Sequence, residues 1–487
     1  MAIHQNLDFV FVEGKFKRHS NEIGLGWLIT VFIVIGEIAG GGIVALPNAV
    51  ISAGAYFGFG MLVAFALMAG YTAVQIGECW SIMQEKWPIY RKHQRQPYAE
   101  MGFRASGNQL RFSITIVSNF SLFGTTVVLI LLAAKNMSSF LSVFLDLEIS
   151  ICYLILIVGI VLIPLTFFKS PKDFWIIIVF AMIATAIAVV LIVIGSIHDA
   201  PYCKSVAVVA PSSSVQGIFH AFGTLIFAYG GHGCFPTIAH DMRSPYRFRR
   251  TAICAFAATF ILYLLVSWLG YSIYGNSVRE SVILSIQVVW IQQAINIVIA
   301  LHVFLSITIM INPINQEIEE YFKIAHDFGW GRVVTRCTVM LFIVFVAESM
   351  PHFSVVLDLF GGSALTLITL IFPILCYLPL KVIRKLGKSV DENYRPSLRE
   401  VIKHTSWPIL LINGSIIVIG IVGGVGTTLF SFKTLIADSF EPPCYIRSFI
   451  NWQNSTVIRD ITNCCGPAKN VSVFGDPETY CSIYTEQ

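Results

Sequence analysis

Residues 36–48 read Gly36-Glu37-Ile38-Ala39-Gly40-Gly41-Gly42-Ile43-Val44-Ala45-Leu46-Pro47-Asn48, and residues 227–236 read Phe227-Ala228-Tyr229-Gly230-Gly231-His232-Gly233-Cys234-Phe235-Pro236. Each stretch interrupts an apolar run with a glycine cluster and then a proline, and Gly42–Pro47 and Gly231–Pro236 share one spacing. A glycine costs a helix interior about 1 kcal/mol relative to alanine, and proline removes a backbone donor. The pattern predicts two long apolar helices, each broken near its middle. Ordinary glycine packing between helices is the plainer reading of one such cluster. Recurrence of the same defect in the second half of the chain favours a site.

The composition around the breaks identifies their solvent. Of 487 residues, 56% are hydrophobic and 12% charged, with mean hydropathy +0.74. A soluble domain is about one-quarter charged. Apolar segments of about 20 residues, the length that crosses a bilayer as a helix, recur from Leu25 to Phe432. The chain reads as an all-α polytopic membrane protein, and the continuous runs exclude the short alternating segments of a β-barrel. Disorder, a nucleic-acid-binding face and a small disulfide scaffold are excluded by the same figures. Eleven transmembrane helices are predicted, at about 25–52, 56–83, 110–138, 150–168, 172–198, 216–242, 251–274, 287–311, 332–350, 354–380 and 407–432. The chain then divides into an N-tail (1–24), spans one to five (25–198), a loop (199–215), spans six to ten (216–380), a basic loop (381–406), span eleven (407–432) and a cysteine-containing tail (433–487). The N-tail has no apolar core and is not read as a signal peptide.

Lysine and arginine give the sidedness. The N-tail and the loops after even-numbered spans hold 25 of the 32 basic residues. The positive-inside rule makes that side cytoplasmic, which puts the N-terminus inside and the C-terminus in an extracellular or lumenal space. The tail carries Cys444, Cys464, Cys465, Cys481 and glycosylation sequons at Asn454 and Asn470, all suited to an oxidising compartment. Cys203 shares that side. Five outer cysteines leave one thiol over, or one that bonds another chain. Cys79, Cys152, Cys234, Cys254, Cys337 and Cys376 read as small packing residues.

Unwound backbone at membrane depth is tolerated only where it is buried in protein or lines a cavity, and a matched pair of interrupted spans marks the binding site in transporters. The half-helix N-termini offer N–H groups to a carboxylate, and exposed carbonyls offer acceptors to an ammonium group or cation. Residues 40–45 also imitate a dinucleotide-binding pattern, but no βαβ unit surrounds them. Gly387-Lys388-Ser389 imitates the end of a P-loop, with Val382 where glycine is required. No metal motif or nucleophile–base constellation is found, so the reading is of no enzyme, no cofactor, no metal and no ATP motor.

Several stretches resemble, in order and spacing, the amino acid/auxin permease family of the APC superfamily, which includes proton-coupled, sodium-coupled and vesicular amino acid transporters. They are Gly42-Ile43-Val44-Ala45-Leu46-Pro47-Asn48-Ala49, Tyr98-Ala99-Glu100-Met101-Gly102, Phe227-Ala228-Tyr229-Gly230-Gly231-His232, Gly270-Tyr271-Ser272-Ile273-Tyr274-Gly275 and Asn312-Pro313-Ile314-Asn315-Gln316-Glu317. The resemblance implies a LeuT-like 5+5 inverted repeat with broken helices one and six, alternating access, and secondary active symport of amino acids driven by H⁺ or Na⁺. It implies substrate contacts at Ala39, Gly40, Gly41, Gly42 and Ile43 in span one and Phe227, Tyr229, Gly230, Gly231 and His232 in span six. The small break residues suit a modest neutral amino acid. The implied partners are that substrate, the coupling ion and lipid, with a monomer in the plasma membrane or a lysosomal or vesicle membrane. A sensor that binds an amino acid and signals without substantial flux is the alternative. Family members often pair a cysteine before span six with one after span seven. Cys203 fits the first position, but residues 276–287 hold no cysteine, so a partner for Cys203 is expected in the tail.

Glu37 stands one turn before the first break. A carboxylate at that depth faces a cavity, pairs or becomes neutral, so it is read either as a coupling or gating residue or as a structural hydrogen bond. His232 is read as a proton sensor, a substrate contact or a helix cap. In span eight, Ser306 and Thr308, near His302, suit a sodium site or simply bond their own helix carbonyls. Asn119 lines the cavity or joins helices. Glu348, Asp358 and Lys135 are expected at outer helix ends within reach of water, and Glu78 is expected to snorkel or pair with a basic residue. The basic loop is expected to meet anionic lipid.

Overall fold

Apolar composition becomes helix almost throughout the computed structural model, which describes residues 20–21, 24–92, 94–147, 149–167, 174–208, 214–324, 329–387, 391, 393–437, 443–447 and 463–481. In the first half, α1 (Trp27–Ile38) and α2 (Leu46–Ser52) flank a short 3₁₀ turn at Gly41–Val44. They are followed by α3 (Ala55–Lys86), α4 (Pro97–Ser106), α5 (Asn108–Leu145), α6 (Ile151–Leu165) and α7 (Phe174–Cys203). The second half repeats the plan: α8 (Val215–Ala228) and α9 (Phe235–Asp241) flank the second gap, followed by α10 (Phe248–Leu269), α11 (Val289–Tyr321) and α12 (Trp330–Ser349). Then α13 (Phe353–Phe360) runs through two π-helical turns into α14 (Phe372–Leu386). The chain ends with α15 (Leu398–His404), α16 (Trp407–Ala437), α17 (Cys444–Arg447) and α18 (Pro477–Tyr480).

Among the described residues, eight helical stretches are long and apolar enough to cross a membrane, and α1, α6 and α8 are shorter apolar helices at predicted spans one, four and six. Helices α1 and α8 are short because the breaks end them. The chain is a mostly helical integral membrane protein. Helix α11 packs between α5 and α7, α3 lies against α10 and α14, and α1 lies against α10 and α7. Trp80, Tyr229, Tyr263, Phe235 and Phe248 fill the interior, while Phe32, Leu67, Ile160, Leu341 and Leu429 face outward, where lipid chains solvate them. Glycine permits close helix approach: a Cβ on Gly223 of α8 would stand 2.7 Å from the Asp358 carbonyl of α13.

The two ends of the bundle differ. At the basic end, Leu25 brackets Met242, its N–H donating to Asp241 O and its carbonyl accepting from Arg243 N, both at 2.9 Å. Asn21 Nδ2 donates to the carbonyls of His240 (3.0 Å) and Met242 (2.8 Å). The segment before α1 is thereby laced to the segment after α9. Nearby, buried Glu319 accepts from Arg336 at 2.6 Å and lies 3.6 Å from Arg332. Glu78 lies 3.7 Å from Arg249, a basic partner of the kind expected for it.

At the opposite end the tail is stapled to the bundle. Disulfides join Cys152 to Cys444, Cys203 to Cys465 and Cys464 to Cys481. The tail partner expected for Cys203 is thus Cys465. Reading Cys152 as a packing residue is corrected: it stands at the first turn of α6, at the mouth of the apolar layer, where its sulfur reaches the tail. It supplies the sixth thiol, so none of the five outer cysteines is left over. Asn470 is exposed beside these disulfides, and Asn454 lies outside the described residues. Glu348 and Asp358 are buried rather than exposed at a helix end; Asp358 is held there by hydrogen-bond donors from α8. Lys135 pairs with Glu280 at 2.9 Å.

Candidate functional site

Both breaks are built alike. Helix α1 stops at Ile38 and α8 at Ala228, and each chain resumes as a seven-residue helix with its proline, Pro47 or Pro236, in the first turn. A first-turn proline loses nothing, because that N–H has no helical partner. The resumed helices are too short to carry much dipole. Whatever the site offers a ligand therefore comes from the unwound backbone itself and from the ends of α1 and α8.

The three glycines of the first break face three different neighbours. A Cβ on Gly40 would lie 3.1 Å from His302 Nε2, one on Gly41 2.8 Å from the Leu132 side chain, and one on Gly42 2.7 Å from the Ala228 Cα. Gly42 thus seats the first break on the last residue of α8, and no larger residue fits there without moving a backbone. In the second break, Gly231 holds φ +127°, a conformation glycine adopts without strain, and a Cβ there would stand 3.3 Å from the Phe235 ring and 3.4 Å from the Glu37 Cγ. Glu37 also takes a hydrogen bond from the Cys234 thiol. The Glu37 side chain of span one therefore reaches into the second break, its carboxyl meeting the Cys234 thiol.

One further residue joins the breaks. Tyr263 of α10 is fully buried, and its hydroxyl lies 3.0 Å from the Ile38 carbonyl and 2.7 Å from the Ala228 carbonyl. Those are the last carbonyls of α1 and α8, which lack helical partners at a C-terminus. Sequence reasoning missed Tyr263; a tyrosine hydroxyl deep in an apolar span, which needs a partner when buried, was the available signal.

Other predicted residues turn elsewhere. Tyr229 Oη points to the Leu62 carbonyl of α3 at 3.4 Å and its ring packs on Tyr263. His232 Nε2 lies 3.0 Å from both the Ala69 carbonyl and Thr72 Oγ1 of α3. The carbonyl can only accept, so Nε2 carries the hydrogen. Asn119 lies away from the breaks and, with Gln96, donates to Glu317 of α11. Thr308 donates to its own helix at Phe304 O, 2.9 Å, whereas Ser306 Oγ lies 3.2 Å from His302 Nε2. Ala39, Ile43, Phe227 and Gly230 lie buried in the two breaks.

A cleft of about 580 Å³ opens at the tail end and reaches down between α2, α8 and α13, lined by Asn48, Ser52, His220, Thr224, Glu280 and Asp358 among others. Asp358 closes one wall, accepting from Thr224 Oγ1 at 2.5 Å and facing His220 Nδ1 at 3.0 Å. Asn48 and Thr224 stand next to the first and second breaks respectively.

Against known families, residues 24–432 match the model described as "Transmembrane amino acid transporter protein". The chain belongs to that family. Among curated relatives, "Amino acid transporter AVT1D" of Arabidopsis thaliana is 26% identical over 368 residues, covering 70% of this chain and 62% of the relative. "Amino acid transporter AVT1J" of the same plant is 24% identical over 366 residues, covering 72% of this chain and 82% of the relative. The chain spans less than two thirds of the length of the first of these. Among solved structures, MhsT in complex with L-phenylalanine gives a TM-score of 0.51 at 10% identity over 84% of this chain and 100% of that one. Mhp1, a nucleobase-cation-symport-1 family transporter in a closed conformation, gives 0.51 at 13% identity over 91% and 97%. These likenesses establish a shared fold, the LeuT-like arrangement implied by the sequence. The family and its relatives are transporters, not enzymes. The match stops at residue 432, so the disulfide-bonded tail is an addition outside it.

Proposed function

We propose that this chain is a secondary active transporter that moves small neutral amino acids by alternating access, driven by an H⁺ or Na⁺ gradient. The carrying observation is that the two broken helices meet, the Gly42 backbone on the Ala228 backbone and the Glu37 side chain at Gly231, with a polar cleft opening beside them between α2, α8 and α13. Residues no larger than alanine at Ala39, Gly40, Gly41 and Gly42 leave backbone rather than side chains to face a compact substrate. The C-terminal ends of α1 and α8, which carry partial negative charge, suit its ammonium group, and the unwound N–H groups suit its carboxylate. The cleft at the tail end and the lacing at the basic end support a state open toward the tail. In this reading eleven helices cross the membrane, with the N-terminus cytoplasmic and the tail extracellular or in the lumen of a lysosome or vesicle. Glu37 acts in gating, because its carboxyl ties the first break to the second.

The test is uptake by the purified protein in liposomes. A panel of labelled amino acids is offered at two pH values, with and without Na⁺. Accumulation of small neutral amino acids above the gradient-free level is the expected outcome. No uptake across the full panel under either gradient would refute the reading.

A further inference from the structure

His302 of α11 is fully buried, and its ring is held between α7, α11 and the first break. Nδ1 lies 3.0 Å from the Ala181 carbonyl and 2.9 Å from Thr185 Oγ1, both on α7. A carbonyl only accepts, so Nδ1 carries the hydrogen and Nε2 presents a lone pair. The Ser306 hydroxyl, 3.2 Å away, donates to that lone pair. The same nitrogen faces Gly40 of the first break, where a Cβ would stand 3.1 Å from it. The imidazole is thus anchored on one side and directed at the unwound backbone on the other.

The end of α1 lies two residues before Gly40, which the Nε2 side of the ring faces. Helix α1 ends at Ile38 with no basic residue in its last turn, and the C-terminal end of a helix carries partial negative charge. A proton on Nε2 would meet that end. It would also turn the ring from acceptor to donor, with the Ser306 hydroxyl rotating to accept. The groups that face the ring do not titrate: Ala181 and Thr185 from α7, Ser306 from α11 and Gly40 from the first break. From α5, which packs on α11, Leu129 and Leu132 meet Gly41, and Lys135 is paired with Glu280. Glu37 turns away to Gly231 and Cys234, and His232 bonds to α3.

We propose that His302 is the proton-binding site that couples a proton gradient to movement of the first break. This rests on the transporter reading and names H⁺ as its driving ion. The step is a simple transfer. A proton entering from the side of higher proton activity forms the Nε2–H bond, and that bond breaks when the proton leaves toward the other side. No electrons move. A neutral ring accepts at the break and a charged ring donates there, so the hydrogen bonding around Gly40 differs between the two states.

The experiment uses the full chain in liposomes and compares two readouts, substrate exchange at equal pH and net accumulation under an imposed pH gradient without Na⁺. His302→Asn supplies an amide N–H toward Ala181 in place of Nδ1–H but cannot be protonated. It should retain exchange and lose gradient-driven accumulation. Thr185→Val keeps the ring and the volume but removes one acceptor from Nδ1–H, which weakens the charged form. It should move the pH of half-maximal uptake to the acid side by up to about one unit. Gradient-driven accumulation in His302→Asn equal to wild type overturns the proposal, as does an unshifted profile in Thr185→Val. If His302→Asn does not fold, Thr185→Val decides alone. Wild-type accumulation under Na⁺ only would overturn the His302 assignment and leave the transporter reading standing, whereas no uptake at all would overturn that reading.

Discussion

Tyr263→Phe isolates the link between the two breaks, because it removes one oxygen and keeps the ring in its place against Tyr229, 5.0 Å between centroids. No cavity of consequence opens, so the cost is one of hydrogen bonding. The hydroxyl has a single hydrogen for two carbonyls, Ile38 O at 3.0 Å and Ala228 O at 2.7 Å. Ile38 O keeps a second donor, the Gly40 N–H at 2.9 Å, so the loss falls mainly on Ala228 O. A buried acceptor left without a partner costs about 1–3 kcal/mol. If that free energy orders the break for substrate, uptake should fall by about 5- to 150-fold, and the thermal unfolding midpoint should fall with it. Tyr229→Phe is the matched comparison. Its hydroxyl is 3.4 Å from the Leu62 carbonyl, beyond the usual range for a strong bond, so the same assays should change little. Wild-type uptake and wild-type midpoint in Tyr263→Phe would refute the reasoning, as would equal losses in the two variants.

Gly42→Ala places a methyl 2.7 Å from the Ala228 Cα; overpacking against backbone costs about 1–3 kcal/mol, and uptake should be lost while the folded protein still elutes as one species. Asp358→Asn weakens an acceptor shared by Thr224 and His220, and the unfolding midpoint should fall, whereas His220→Gln, which retains a donor, should fall less. Replacing Cys203 and Cys465 together with serine removes a crosslink between residues 262 apart; peptide mapping without reductant should lose that linked pair, and the midpoint should drop. Outside the membrane, the Ser397 backbone N–H and hydroxyl, with the Tyr394 hydroxyl, hold Glu400 below the usual carboxylate range. A depressed carboxylate contributes stability above its unfolded pKa and loses it as pH falls through the folded one. Amide exchange in α15 should therefore accelerate only on the acid side of the ordinary carboxylate range, and Glu400→Gln should remove that transition.

Much of the helical plan was legible because apolar length and glycine–proline punctuation are local properties. Gly40–Pro47 and Gly231–Pro236 announce their own breaks, and Pro47 and Pro236 both settle in the first turn of the resumed helix. Which neighbour each break residue meets is a long-range property, and there the sequence was silent. Tyr229 and His232 belong to the second break by position, yet their polar atoms turn to carbonyls of α3, because a ring at that register points across the bundle. Asn119 was legible as a polar residue inside a span, but its partner Glu317 comes from a helix far along the chain. Cys152 was misread for the same reason: its place at the mouth of α6 depends on where the apolar layer ends, within a residue or two. Tyr263 and His302 gave only the faint signal of a polar tip inside an apolar run, and their roles arise from the partners that packing brings to them.

The covalent bracing and the breaks fall on different helices, and that division bears on what can move. Cys152 opens α6, Cys203 closes α7, and Gln287 leads into α11, donating to the Val471 carbonyl at 3.0 Å and accepting from Val473 N at 2.7 Å. Tyr445 of the tail stacks on Phe345 of α12 with 5.5 Å between centroids. The tail therefore ties together α6, α7, α11 and α12, and two of those helices hold the imidazole of His302. Among the described residues, the tail disulfides touch none of α1, α2, α8 and α9. These contact one another through glycines and through Glu37, contacts that can slide without breaking a covalent bond. A frame crosslinked at one end and a pair of broken helices seated in it by backbone contact is a mechanical division of labour. Any signal passing from frame to breaks must cross at points where a frame residue meets unwound backbone, and His302 against Gly40 is such a point.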